Sequence, residues 1–253
     1  MEKGVPARAP LPTDPTHLPA TERETLDALA PLLASAGLSA LDAVATAAIT
    51  AHLRLLDAWN PAINLTRIIA PIERAERHLL DALVAAPLVE GLLGSDPHGA
   101  ARVADLGSGG GFPGIPLAAR ILSARANVRF DLIDATAKKA RFLEAVAAAS
   151  GLAPRLAVVC ARAEALARDG DGPRYDVIVA RAVAPLAELA RLATPLLRPG
   201  GSLVAWKRDA DGWAAELETA ASLIGGATIR VERVAAPRLA GALLVVVAPS
   251  RRV

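Results

Sequence analysis

Residues 103–119 read VADLGSGGGFPGIPLAA. An apolar stub, VADL, runs into Gly107-Ser108-Gly109-Gly110-Gly111 and then into an Ala/Leu-rich stretch. The pattern predicts a buried strand, a turn able to take positive φ, and a helix whose first turn tolerates Pro113 and Pro116. Such a strand–loop–helix unit sets backbone N–H groups and a helix N-terminus beside whatever it binds. With so little side chain in the loop, a ligand can lie almost against the backbone.

Downstream the alternation continues. Strands are expected at 102–106, 128–133, 155–159, 175–180, 201–206, 227–235 and 242–248, with helices at 114–124, 136–150, 185–197 and 211–223. Strand–helix alternation of this kind reads as an α/β doubly wound sheet over residues 99–253. The last two strands lack a clear helix between them and suit an antiparallel pair. Upstream, residues 21–98 read as helices. Thr21-Glu22-Arg23-Glu24 offers an N-cap for a helix reaching about Ser35, which Gly37 stops. Leu41 to Trp59 has helical apolar spacing and ends at Pro61, and a third helix fits Pro71 to Val89. Residues 1–20 hold five prolines and no periodic apolar face, and are expected to be a disordered leader.

Composition narrows the class. At 253 residues, 53% of them hydrophobic, the chain buries a substantial core. No apolar run approaches the roughly 18 residues of a membrane span, and MEKGVPARAP lacks the apolar centre of a signal peptide. A cytoplasmic protein without a membrane partner is expected. Cys160 is the single cysteine, so no internal disulfide forms; at the end of LAVVCA it reads as a small core residue. Only four of the 28 cations are Lys, and Arg suits bidentate phosphate contacts. Yet the net charge is only +2, which by itself does not designate a nucleic-acid binder.

Three ligands compete for the loop. A nucleoside triphosphate requires a loop ending Gly-Lys-Ser/Thr, and the chain has none. A dinucleotide requires G-x-G-x-x-G, which Gly109, Gly111 and Gly114 match, although Pro113 sits awkwardly within the pattern. S-adenosyl-L-methionine is the third, its usual loop having an acid two residues before the first glycine, as Asp105 stands to Gly107. Asp134, about 20 residues beyond Gly114, is placed for a ribose in either of the last two cases. Ala163-Glu164 follows the third strand and is placed to frame an adenine. Arg181, after DVIVA, falls at the carboxyl edge of the sheet where open α/β sheets bind ligands.

Taken together, WNPAINLTR (59–67), HLLDAL (78–83), DLGSGGGFPGIPLA (105–118), LIDATAKKARFL (132–143), ARAE (161–164), ARAVAPL (180–186) and LRPGGSLVAWK (197–207) resemble the bacterial small-subunit rRNA guanine-N7 methyltransferases, the RsmG (GidB) family. The resemblance spans roughly residues 50–207. It implies a class I S-adenosylmethionine-dependent methyltransferase fold, Rossmann-like with a mainly parallel seven-stranded sheet, behind an N-terminal helical extension. It implies S-adenosyl-L-methionine as donor and N7 of one guanine of 16S rRNA as acceptor, guanine 527 in standard bacterial rRNA numbering, within the 30S subunit or its precursor. It carries cofactor contacts onto Gly107, Phe112, Ala163, Glu164 and Arg181, beside the loop glycines Gly109 and Gly111 and the ribose candidate Asp134. A monomer without a metal is expected. The chain departs from the family pattern at Ala82, Arg208 and the segment before the last strand, all outside the cofactor loop. Arg67, Arg181, Lys207 and Arg208, with Lys138, Lys139 and Arg141, are the cations expected near the ligand edge. A non-catalytic rRNA-binding assembly factor, or a methyltransferase for another RNA or a small molecule, remains the alternative.

Overall fold

The computed structural model of the protein describes residues 10–94, 99–169, 172–210 and 212–249. Strands β1 (Ala101–Leu106), β2 (Val128–Ile133), β3 (Leu156–Val159), β4 (Tyr175–Arg181), β5 (Leu197–Arg208), β6 (Thr228–Arg233) and β7 (Ala242–Ala248) form one sheet in the order β3-β2-β1-β4-β5-β7-β6. Neighbours from β3 to β5 pair parallel, and β7 runs antiparallel to both β5 and β6. The order reverses between β1 and β4, which opens a crevice at the carboxyl ends of those strands, the usual ligand position in such sheets.

The central strands are mostly apolar because helices cover both faces. Val103, Val177, Val179 and Val204 point to the face covered by α6 (Gly114–Ala124) and α7 (Ala137–Ala149). Ala104, Ile178, Ala180 and Ala205 point to the other, under α8 (Ala163–Arg168), α9 (Leu186–Ala193) and α10 (Trp213–Leu223). The strict alternation follows from the two-residue period of a strand. β5 begins earlier than expected: Leu197 already pairs with Tyr175, and the register shifts before Val177 meets Ser202, so the Arg-Pro-Gly-Gly stretch is an irregular entry to the strand.

The N-terminal helices are α1 (Arg23–Ser35), α2 (Ala43–Ile63), α3 (Pro71–Arg74), α4 (Asp81–Leu83) and α5 (Ala86–Leu92). They share one hydrophobic core with α6, α7 and the sheet, with Ile49, Leu53, Leu56 and Trp59 of α2 buried in it. Three sequence expectations need correction. Thr21 is not the cap of α1; Glu22 precedes the helix without a side-chain capping bond, and the Thr21 hydroxyl instead donates to Asp57 Oδ2 at 2.6 Å. Pro71 to Val89 is not one regular helix, because a π-helical segment, Ala75–Leu80, lies between α3 and α4. Residues 10–20 of the leader are ordered: Leu11 and Leu18 pack on the core, and the Trp59 indole N–H donates to the Pro12 carbonyl at 2.6 Å. Prolines without helical periodicity read as disorder, but two leucines and one anchored carbonyl are enough to hold so short a strap. Residues 1–9 lie outside the described residues.

Candidate active site

The glycine loop turns back against the end of β2. Gly107 and Ser108 both donate their amides to the Ile133 carbonyl, at 2.9 and 3.0 Å. Gly107, Gly109 and Gly111 have φ of 78°, 55° and 86°, the left-handed region that only glycine enters without strain. Space matters as well as angle. A Cβ on Gly107 would stand 2.7 Å from Val183 in the loop after β4, and one on Gly111 would collide with Ile115 and His52. Gly109, by contrast, has nothing nearer than its neighbour's carbonyl, at 3.8 Å.

Two carboxylates brace this loop. Asp134 accepts the Gly109 amide at 2.9 Å and the Thr136 amide at 2.8 Å, so both its oxygens already hold backbone at the position expected to meet a ribose. Asp105 is buried and accepts the Gly114 amide on Oδ2 at 3.0 Å, while its Oδ1 has no hydrogen-bond partner. Burial pushes the Asp105 carboxyl up to about 7, and an orphaned buried acceptor beside a loop with room at Gly109 is what a bound ammonium-bearing group would satisfy. Among the described residues the chemistry of this cradle, loop amides plus two acids, fits the amino-acid and sugar portions of adenosylmethionine.

Phe112 follows the loop and is buried. His78 stacks on its ring at 4.2 Å with 14° between the planes, His52 lies against it at 4.6 Å, and the Arg181 guanidinium sits 5.8 Å from the ring centroid. Both histidines come from the helical extension. The His52 Nε2–H donates to the Gly110 carbonyl at 2.8 Å. His78 receives an Arg181 N–H at Nδ1, 3.4 Å away, so its proton resides on Nε2, which donates to Thr66 Oγ1 at 2.8 Å. Burial holds both imidazoles far below the usual range, His52 at about 4 and His78 at about 3, the latter pushed further by Arg181. Both are neutral at neutral pH.

Arg181 closes the site at the end of β4. It donates to Asp81 Oδ2 at 2.8 Å and to the Arg77 carbonyl at 3.0 Å. The next residue, Ala182, has φ of 56°, a strained angle for a residue with a Cβ and a frequent mark of a functional turn. Ala163 is buried at the start of α8, whereas Glu164 beside it is exposed. The ends of β1, β2, β3 and β4 therefore bring the sequence-predicted residues to one edge of the sheet.

Of the cations expected at that edge, Arg181 and Lys207 are not free. Asp81 holds the first, and Lys207 Nζ pairs with Glu216 at 2.6 Å. Arg67, Lys138, Arg141 and Arg208 are exposed. Beside Arg181 a cleft of about 470 Å³ opens, lined by His78, Asp81, Ala182, Trp206 and Lys207 among others. The Trp206 indole donates to the Asp81 carbonyl at 2.8 Å. The packing role of His52 was not legible, since one histidine in an apolar helix looks like any core residue; His78 and Asp81 stood out only as part of HLLDAL, with no role attached. Cys160, read as a core residue, is exposed. Among the described residues no group of His, Cys, Asp and Glu has the makings of a metal site, and no helix is long and apolar enough to cross a membrane.

Residues 45–237 match the family model GidB, described as rRNA small subunit methyltransferase G. The chain is 43% identical over 194 residues to the ribosomal RNA small subunit methyltransferase G of Sorangium cellulosum, covering 77% of this chain and 75% of that protein. It is 42% identical over 160 residues to the protein of the same name from Leptothrix cholodnii, covering 63% and 68%. Among solved structures, an O-methyltransferase from Bacillus cereus in complex with SAH superposes with a TM-score of 0.56 at 15% identity, over 88% of this chain and 99% of that one. That last likeness concerns the fold.

Proposed function

The chain belongs to the rRNA small subunit methyltransferase G family, and from that premise we propose that it methylates N7 of a single guanine of 16S rRNA in the 30S subunit or its precursor. It is an S-adenosyl-L-methionine-dependent rRNA methyltransferase; the acceptor atom, the particle and the residues that hold the cofactor are our reading. The observation that carries the reading is the cradle: three left-handed glycines, the orphaned Asp105 Oδ1, and Arg181 seated on Phe112, all at the β1/β4 crevice. Gly107, Gly109, Gly111 and Asp134 are assigned to the methionine and ribose portions, Ala163 and Glu164 to the adenine, and Phe112 and Arg181 to further contacts with the cofactor.

Bound adenosylmethionine supplies an electrophilic sulfonium methyl. Guanine N7 carries an in-plane lone pair and no proton, so it would accept that methyl without a general base, and the methylated purine would be cationic. No proton is removed before attack, which accords with a site whose two histidines are buried, neutral and committed to Gly110 and Thr66. What the residues do is align N7 with the methyl and exclude water, and orientation of that kind is a large share of an enzyme's acceleration.

The test is transfer of labelled methyl from S-adenosyl-L-methionine to 30S particles lacking the modification, with 50S particles and tRNA as controls, followed by mapping of N7-methylguanine through the lability of its ring. Label at one guanine of 16S rRNA is expected. Label elsewhere discards the proposed target; cofactor binding without transfer to any particle turns the reading toward an assembly factor.

A further inference from the structure

A guanine reaches a methyl donor in the β1/β4 crevice only after it leaves its neighbours in the rRNA strand. Those neighbours stay outside, with bare base faces and charged phosphates, against whatever surface rims the crevice. The cleft beside Arg181 has the charge for such a strand. Arg77, Arg181, Lys207 and Arg208 line it against one acid, Asp81, and Arg181 already holds that acid. A surplus of this sign attracts a phosphate backbone.

The same rim carries apolar side chains in water. Among the described residues six large apolar side chains are exposed, and three of them, Ile69, Ile72 and Val183, belong to the two segments that flank the crevice. Val183 follows β4 and lies over Gly107. Ile69 and Ile72, 67% and 57% exposed, follow Ile68, which lines the cleft. One exposed isoleucine is ordinary; two within four residues beside a ligand site mark a contact surface. Their backbone starts from a fixed base. The Asn60 side chain donates to the Thr66 carbonyl and accepts the Thr66 amide, both at 2.9 Å. Thr66 Oγ1 accepts the Ile68 amide at 3.0 Å and bonds His78 Nε2 at 2.8 Å. The Leu65 carbonyl rests on the glycine loop, 3.1 Å from where a Cβ on Gly110 would stand. The segment from Arg67 to Ile72 is thus held out from an anchored turn, with Arg67 exposed at its start. Aliphatic tips on a pinned backbone are what proteins set against unstacked bases.

We infer that Arg67, Ile69 and Ile72 form the surface that receives the rRNA strand flanking the target guanine: the isoleucines lie against base faces left bare when the guanine leaves the stack, and Arg67 takes a phosphate. RNA is favoured over a ribosomal protein because the surface is continuous with a positively charged cleft at the crevice that the acceptor base must enter. The inference rests on the guanine-N7 reading above, and it leaves Arg181 and the glycine loop to the cofactor.

The test uses the full-length protein and 30S particles lacking the modification. Ile69→Ser and Ile72→Ser are compared with Val44→Ser and Leu223→Ser, which remove exposed apolar side chains from the first turn of α2 and the last turn of α10. Each of the first two variants is expected to lower kcat/KM for the particle by about 10-fold, the scale of one lost base contact. Their Kd for S-adenosyl-L-methionine should stay within about twofold and their Tm within a few degrees. The two comparison variants should methylate like the wild type. Arg67→Ala should lower the slope of log kcat/KM against log salt by about one. A photoreactive p-benzoylphenylalanine in place of Ile69 should cross-link to 16S rRNA within a few nucleotides of the methylated guanine. A cross-link to a ribosomal protein in its stead would overturn the proposal, as would wild-type rates in both Ile69→Ser and Ile72→Ser. Loss of cofactor affinity in those variants would also overturn it and place the segment in the cofactor cradle. Failure of the wild-type protein to methylate the particles at N7 would sink the underlying reading, and that arm needs no variant.

Discussion

At the scale of single residues, the glycines of the loop divide by what surrounds them. Gly111 needs both its angle and its space, since a methyl there meets Ile115 and His52. Gly111→Ala should therefore lose about 1–3 kcal/mol of stability, read as a fall in Tm or in the urea midpoint. Gly109→Ala meets no side chain, and only its φ of 55° resists substitution. It should keep Tm within a few degrees and lose adenosylmethionine affinity, because the added methyl projects into the space assigned to the cofactor; isothermal titration separates the two variants. Asp105 makes the same site pH-sensitive. With its carboxyl raised to about 7 by burial, it is largely protonated in the free protein at pH 6 and ionised at pH 8. An ammonium group favours the ionised form, so cofactor affinity should climb across that interval, and Asp105→Asn should flatten the climb. A slope unchanged by Asp105→Asn would assign the pH dependence to another group.

Between elements, the helical extension and the cofactor loop are one mechanical unit. α2 is capped by Asp42, whose side chain accepts the Ala45 amide, and it carries His52 to Gly110. Leu53→Ala, fully buried in the same helix, should cost about 2–5 kcal/mol. His52→Ala should cost cofactor affinity beyond its effect on Tm, because the Gly110 carbonyl loses its donor while the loop keeps its glycines. How far such links can be seen in a sequence depends on their period. The strands of the sheet were legible because VADL, FDLI and DVIVA are short, β-rich and bounded by loops, and strand–helix alternation then fixes most of the topology. The loop was legible because five glycines next to an acid have few uses. The π-helical segment was not: one extra residue in a helical turn leaves composition unchanged and shifts side-chain direction alone, yet that shift orients His78 and Asp81. Thr21 looked like a cap because its spacing to Glu24 suited one, and Asp57, 36 positions away, was the better partner. Contacts of that separation have no local signal.

For the whole molecule, the buried ionisable groups set a stability profile that can be worked out with its sign. His52 and His78 have folded values of about 4 and 3, below the ordinary 6.5. Each contributes stability that is complete above pH 6.5 and is lost as pH falls toward those values, since the unfolded chain takes up protons that the fold refuses. Asp105 acts the other way. Raised to about 7 from 3.8, it favours the fold below pH 3.8 and loses that contribution as pH rises through 7. Between about pH 4 and 6.5 two groups gain with pH while one loses, so stability rises with a net slope of about one proton. From about 6.5 to 7 only Asp105 still titrates, and stability declines slightly before levelling. Urea unfolding of the free protein from pH 4.5 to 8 should therefore show a maximum near about pH 6.5. In Asp105→Asn the rise below that point should steepen to about two protons and the decline above it should vanish. A decline that persists in the variant would mean that the acid under the glycine loop is not the group that titrates there, and would remove the proton from the account of how this protein takes its cofactor.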